Sequence, residues 1–308
     1  MDESPRLVTR CPACHGDALT TVGQRASAFD VELGGRVFRQ PAYDVRRCET
    51  CGLHFKSVTL TPQELSVYYQ WLDGAMFDVD ADFPTDRVLF ERLRGVPDGS
   101  RVLDYGCSTG RMLKDSAGRL RCVGVEPNAP AAAVARSRGI TIVDDEQLDR
   151  EPPFQAIILA DVFEHLVEPM PLLRRLAARL APGGWLAIIT GDAGAITVES
   201  RMAEHWYFRL PGHVVMLTER HLAWIASQLA LRLTAVERCS HYRVPLAERI
   251  KQRAQEVAYD VMRDAPGSVA AGVVRRLPRL GNAQHWPNAP ALTYRDDHVV
   301  AFLQREHD

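Results

Sequence analysis

The 308-residue chain has no run approaching the ~20 consecutive apolar residues that a membrane helix needs. Its acidic start, MDESPR, also lacks the basic-then-apolar order of a secretory leader. These absences predict a cytoplasmic protein with no membrane partner. Lysine is almost missing: Lys56, Lys114 and Lys251 stand alone, and 37 basic residues against 39 acidic ones leave a formal charge of −2. A surface that holds a phosphate backbone normally leaves a basic excess in the composition, so nucleic acid is not favoured as a partner. Repeats and long low-complexity tracts are absent too, and 46% apolar with 25% charged residues excludes a disordered or fibrous chain. The length suits one large domain with an appendage.

Cysteine is what the sequence has in a telling pattern. Of seven, four form two Cys-x-x-Cys pairs, Cys11 and Cys14 in CPAC and Cys48 and Cys51 in CETC, with 33 residues between the pairs. In a reducing compartment such pairs read as metal ligands before disulfides. Four thiolates close a tetrahedral, structural Zn2+ site with no position left for water. Disulfide pairing is the competing reading, and His15 and His54 are the alternate ligands. Between the pairs, FDVELGGRVFRQPAYDVRRC alternates apolar and polar residues around Gly34 and Gly35, which predicts a hairpin. Residues 1–60 are therefore expected to form a zinc ribbon.

The segment LTPQELSVYYQWLDGAMF begins with a threonine cap, Pro62 and Glu64, the signature of a short helix, and a second helix is expected over Thr85 to Leu93. Residues 61–95 thus read as connector helices. From residue 96 apolar runs alternate with helical stretches. Strands are expected at 101–105, 121–126, 140–143, 155–160, 185–190, 231–238 and 298–304, and helices at 109–117, 129–138, 164–180 and 218–229. Runs as apolar as AIILA and WLAIIT are buried on both faces, which implies a parallel sheet covered by helices. The expected fold class is α/β, a doubly wound Rossmann-like sheet over 96–243 and 291–308, interrupted at 244–290 by a helical insertion that is a candidate lid.

The stretch RVLDYGCSTGRML delivers Asp104 to a strand's carboxyl end, and Gly106, Ser108 and Gly110 let the backbone turn so that a ligand approaches closely. A dinucleotide fingerprint starting at Gly106 would meet Ser108 at its second glycine and Arg111 at its third. The third glycine serves tight packing of helix on strand, so the arginine speaks against NAD. Twenty residues beyond Gly106, the next strand ends in Glu126, placed as the acid that takes two ribose hydroxyls.

With LDYGCSTG at 103–110, GVEPN at 124–128, ILADVFEHLVEP at 158–169 and LAPGGWLAIIT at 180–190 in this order, residues 85–243 resemble the class I S-adenosylmethionine-dependent methyltransferases. RCETCGLHF and ELSVYY look like the ribbon and tyrosine-rich helix of members that act on small molecules and sugars. The resemblance implies a seven-stranded sheet whose last strand, HVVAFLQ, runs antiparallel, with S-adenosyl-L-methionine as cofactor. It puts Asp104 and the loop of Gly106, Cys107, Ser108 and Gly110 beside the cofactor's methionine portion, with the Cys107 thiol read as packing. Glu126, followed by Pro127, would hold the ribose, Asp144 or Asp145 would meet the adenine amino group, and Asp161 would lie by the sulfonium. Tyr69, with Tyr68, is a candidate to close over the cofactor, with docking of its helix as the competing reading. Ser108 and Gln155 depart from the family's commoner glycine and aspartate.

Methyl transfer from a sulfonium rests on positioning and exclusion of water, and needs a base only for some acceptors. Where one is needed, histidine is the usual proton taker. His165 directly follows the fourth strand, and His213 follows the loop after the fifth; both are candidate bases, each with a packing role as the competing reading. Trp206, Tyr207 and Phe208 are candidate pocket walls. The arginines of VVRRLPRL would suit a phosphate on a nucleotide-linked sugar, or simply solvent. The expected function is methylation, at oxygen or carbon, of a small-molecule acceptor such as a sugar or secondary-metabolite intermediate. The alternatives are an RNA base methyltransferase that uses the ribbon to hold RNA, and a non-catalytic cofactor-binding scaffold.

Overall fold

The computed structural model describes residues 6–33, 35–71, 83–196, 198, 201–286 and 288–307. The amino-terminal ribbon comprises β1 (Arg6–Leu7), β2 (Leu19–Arg25), β3 (Phe29–Leu33), β4 (Arg36–Gln40), β5 (Tyr43–Cys48), β6 (His54–Lys56) and β7 (Val58–Thr59). β3 and β4 are the expected hairpin, with Leu33 opposite Arg36. Gly34 lies outside the described residues. The connector helix α1 (Pro62–Trp71) carries a reciprocal cap: the Thr61 amide donates to Glu64 Oε2 at 2.7 Å, and the Glu64 amide to Thr61 Oγ1 at 3.2 Å. α2 (Pro84–Arg94) opens on a proline, whose missing N–H costs nothing in a first turn.

Five strands follow as β8 (Arg101–Tyr105), β9 (Arg121–Val125), β10 (Thr141–Val143), β11 (Phe154–Ala160) and β12 (Leu180–Gly191), and after the short β13 (Val215–Met216) come β14 (Arg232–Cys239) and β15 (His298–Gln304). All but β13 form one seven-stranded sheet in the order β10-β9-β8-β11-β12-β15-β14. β15 runs antiparallel to both neighbours, as the resemblance implied. Side chains alternate across the pleat and so serve two buried layers. Leu103, Ile157, Ile188 and Ala301 pack in one layer with α5 (Pro169–Ala178) and α7 (Glu219–Gln228); Val102, Ile158, Ile189 and Phe302 pack in the other with α2 and α3 (Ala129–Ser137). α2 therefore belongs to the doubly wound body. Residues 246–264 and 269–274 are helical, as expected for the insertion, and close over a small core of Ala258, Met262, Ala271, Val274 and Ala283. No helix among the described residues is long and apolar enough to cross a membrane.

Two expected helices are corrected. Residues 109–117 form turns with only a 3-10 segment at Lys114–Ser116. Gly110 lies at φ +82°, which no right-handed helix accommodates, and the Arg111 guanidinium beyond it binds Asp86. The helix expected at 164–180 is a 3-10 turn at Phe163–His165 followed by α5. Pro169 forces the break, because the residue before a proline is driven to extended backbone, and Glu168 sits at φ −136°, ψ 93°. The short helix α4 (Asp145–Leu148) was not anticipated, although Asp144 and Gln147 form a complete capping box there.

The ribbon is continuous with the main body. β13 pairs antiparallel with β6, Val215 opposite Phe55 and Met216 opposite His54. Cys11, Cys48, Cys51, Leu53 and Phe55 share a core with Leu222 and Ile225 of α7. The buried Tyr43 hydroxyl lies 2.8 and 2.9 Å from the carbonyls of Ala203 and Phe208.

Candidate active site

The bend after β8 is held from behind. The Gly106 and Cys107 amides donate to Val125 O at 2.8 and 3.1 Å, which binds the loop to the end of β9. Gly106 lies at φ +79°, and a Cβ there would meet Val162 Cγ2 at 2.6 Å; only glycine keeps both the turn and its contact with β11's end. Glu126 spans the same loop: Oε2 accepts from the Ser108 amide at 2.8 Å and Oε1 from the Asn128 amide at 2.7 Å. Each oxygen keeps a second lone pair for a ligand hydroxyl, and burial raises this carboxyl's pKa. Asp104 is 1% exposed, its Oδ2 has no hydrogen-bond partner, and burial pushes its carboxyl up to about 7. A buried, unpaired carboxylate oxygen under a glycine bend suits a cationic group, and together with the Glu126 oxygens this chemistry fits the methionine portion and the ribose of S-adenosylmethionine.

The other predicted cofactor residues have partners of their own. Cys107 is buried, with its thiol pKa raised by burial, and packs where a Cβ on Gly124 would sit, in keeping with a packing role. Asp144 Oδ1 accepts from the Gln147 amide at 2.7 Å as a helix cap. Asp145 Oδ1 takes Arg175 at 2.6 Å and the Tyr105 hydroxyl at 3.2 Å. Pro127 is exposed beside Glu126. Asp161 ends β11 at φ +53°, its carboxylate 4.0 Å from an Arg111 nitrogen. Tyr69 stands on α1 with its ring 5.1 Å from that of His165, and its hydroxyl donates to Gly212 O at 3.4 Å.

Both predicted bases lie at the same carboxyl edge of the sheet. His165 Nδ1 is 2.9 Å from Gly212 O. A carbonyl only accepts, so Nδ1 carries the proton and Nε2 presents a lone pair. The His213 ring lies 4.9 Å from that of His165 and 4.2 Å from Tyr207; its pKa falls well below the usual histidine value through burial, and its Nδ1 has no partner. Glu164, 1% exposed, sits in the turn Phe163–His165. Its carboxylate accepts from Thr190 Oγ1 at 2.8 Å, and Thr190 accepts in turn from the Tyr207 hydroxyl at 2.8 Å. Burial raises the Glu164 pKa. Tyr207 and Phe208 are thus core residues.

Sequence reasoning missed His241 and His298. Their rings stack at 4.4 Å beside Asp161, brought there by β14 and β15 from 80 and 137 residues along the chain, a distance at which spacing carries no signal.

The four ribbon sulfurs lie within 4.8 Å of one another, with Cys11 to Cys51 at 3.5 Å and Cys14 to Cys48 at 3.4 Å. A disulfide needs about 2.05 Å, whereas a zinc tetrahedron with bonds of about 2.3 Å sets sulfurs about 3.8 Å apart. The donor set fits Zn2+. Both knuckles make the same turn: His15 N donates to Cys11 O at 2.9 Å and Gly52 N to Cys48 O at 2.8 Å. His54 is turned to Gly52 O instead of joining the cysteines. The Thr218 hydroxyl donates to Gly52 O at 3.1 Å, and His221 Nδ1 lies 3.1 Å from Cys51 O, so the second knuckle seats on the start of α7.

A sheet of this order with a glycine bend after one central strand and an acid ending the next has the fold of class I S-adenosylmethionine-dependent methyltransferases. Residues 82–236 match the family described as "Methyltransferase domain", and the chain belongs to it. A probable tRNA methyltransferase 9B from Mus musculus is 29% identical over 136 residues, 41% of this chain and 30% of that protein. A ubiquinone biosynthesis O-methyltransferase from Xanthomonas axonopodis pv. citri is 29% identical over 155 residues, 44% of this chain and 64% of that one. The chain thus spans less than two thirds of these relatives. The Haemonchus contortus phosphoethanolamine N-methyltransferase 2, solved in complex with S-adenosyl-L-methionine, shares the fold at 15% identity and a TM-score of 0.52, covering 91% of this chain and 71% of that chain.

Proposed function

We propose that the protein is a cytoplasmic S-adenosylmethionine-dependent methyltransferase that methylates oxygen or carbon of a small-molecule acceptor, a sugar or secondary-metabolite intermediate, with Zn2+ as a structural ion in its ribbon. The observation that carries this reading is the unpartnered Asp104 carboxylate beneath the Gly106 bend, next to Glu126. The cofactor supplies a methyl group already activated by a positively charged sulfur. Asp104 faces the cationic methionine portion, Glu126 takes the ribose hydroxyls, and Asp144 or Asp145 borders the adenine. Asp161 stands by the sulfonium, and Tyr69 covers the site from α1. His165, with its lone pair on Nε2, receives the acceptor's proton, and His213 stands as the second base. The net charge of −2 favours a small acceptor over RNA; the similarity to tRNA methyltransferases is what favours RNA. Incubating the protein with methyl-labelled cofactor and an extract of its host separates the two. Label in the low-mass fraction is expected, label in RNA would overturn the acceptor class, and cofactor binding with no transfer to either would leave a scaffold.

A further inference from the structure

Asp161, His241 and His298 bring one carboxylate oxygen and two imidazole nitrogens within 4.8 Å of one another at the carboxyl edge of the sheet. His298 is held as a ligand would be. Its Nδ1 is 2.9 Å from Asp297 Oδ1, which leaves Nε2 as the free nitrogen. Asp297, 2% exposed, is itself fixed by the Trp206 indole N–H at 3.1 Å and by His205 Nε2 at 3.6 Å. A buried carboxylate behind an imidazole is the outer support that sets the tautomer and orientation of metal-bound histidines. His241 stacks on His298 with ring centroids 4.4 Å apart, and its Nδ1 is buried without a partner. The Asp161 side chain is 35% exposed, and its carboxylate, 4.0 Å from an Arg111 nitrogen, is the anionic member of the set.

We propose that Asp161, His241 and His298 bind a first-row divalent cation, with Asp297 as the positioning residue behind His298. Two nitrogens and one oxygen leave coordination positions open, and these suit an acceptor that offers oxygen atoms, such as a diol or hydroxy ketone. The cation is distinct from the ribbon's zinc, which four sulfurs enclose. Glu164, His165 and His213 form a second cluster nearby, within the same 4.8 Å limit; its glutamate is engaged by Thr190 and its His165 by Gly212 O, so it is the less available set.

The test is to titrate Co2+ into zinc-loaded protein and to follow binding by calorimetry and visible absorption. One further ion per chain is expected. His298→Ala should abolish its binding, Asp297→Asn should weaken it ten- to a hundredfold, and His165→Ala should leave it unchanged. Titration with S-adenosylhomocysteine on each variant shows whether the fold survives and keeps this test separate from the reading of the cofactor site. Absence of extra Co2+ in the parent protein, undiminished binding in a cofactor-competent His298→Ala, or loss of binding in His165→Ala would each overturn the proposal.

Discussion

Replacing Asp104 by asparagine separates the two things this carboxylate does. Burial raises its folded pKa from 3.8 to about 7, with Arg111 opposing and Glu126 and Asp86 adding to the rise. Below about pH 4 the group is protonated folded or unfolded and costs nothing. Between pH 4 and 7 the unfolded chain ionises first, so stability falls as pH rises, and above 7 the penalty is constant at on the order of 4 kcal/mol. Asp104→Asn should therefore melt above the parent at pH 8 and level with it at pH 4. Ligand binding should move the other way. A cation beside Asp104 favours its charged form, so affinity for the cofactor should climb by up to tenfold per pH unit toward pH 7, with a proton released on binding. In the variant this dependence should vanish, and affinity at pH 8 should drop about 10- to 100-fold, the size of a lost charge-assisted hydrogen bond. Calorimetric titration in two buffers of different ionisation heat reads both quantities. A variant that binds as tightly, with the same pH profile, would refute the assignment; one no more stable at pH 8 would refute the burial argument.

Removal of zinc should be felt throughout the molecule. Because the second knuckle sits on α7 and Phe55 shares a core with Ile225, chelation should release one zinc per chain and lower the melting of ribbon and sheet together; two separate calorimetric transitions would show that the ribbon unfolds on its own. His165→Ala and His213→Ala are expected to leave affinity for the cofactor nearly unchanged, while loss of the proton taker lowers turnover about 10²- to 10⁴-fold. Parent-level turnover in both would exclude a base from this pair.

The sheet was legible because strands such as β11 and β15 are short apolar runs bounded by polar or turn residues; HVVAFLQ occupies the very span expected of it, His298–Gln304. The glycine bend and Glu126 were legible for a related reason, since both lie within one strand-turn-strand unit. What could not be read depends on distant partners. Arg111 and Arg119 bind Asp86 and Leu93 O of α2 from a segment that turns at Gly110 instead of forming the expected helix. Asp161, His241, Asp297 and His298 come together only when the sheet closes, and no local pattern announces that. The cap at Asp144 is the opposite case: Asp144 and Gln147 form a local four-residue signal for the short helix that follows.

The pairing of β6 with β13 bears on how such proteins can be recombined. A chimera that borrows its first sixty residues from a relative receives a four-cysteine module whose sheet lacks the strand at its edge, and whose Tyr43 and Lys56 look for carbonyls at Ala203, Phe208 and Leu210 that the recipient never evolved to offer. Transplantation should succeed only when residues 201–221 travel with the head, so the smallest exchangeable unit of this chain is discontinuous.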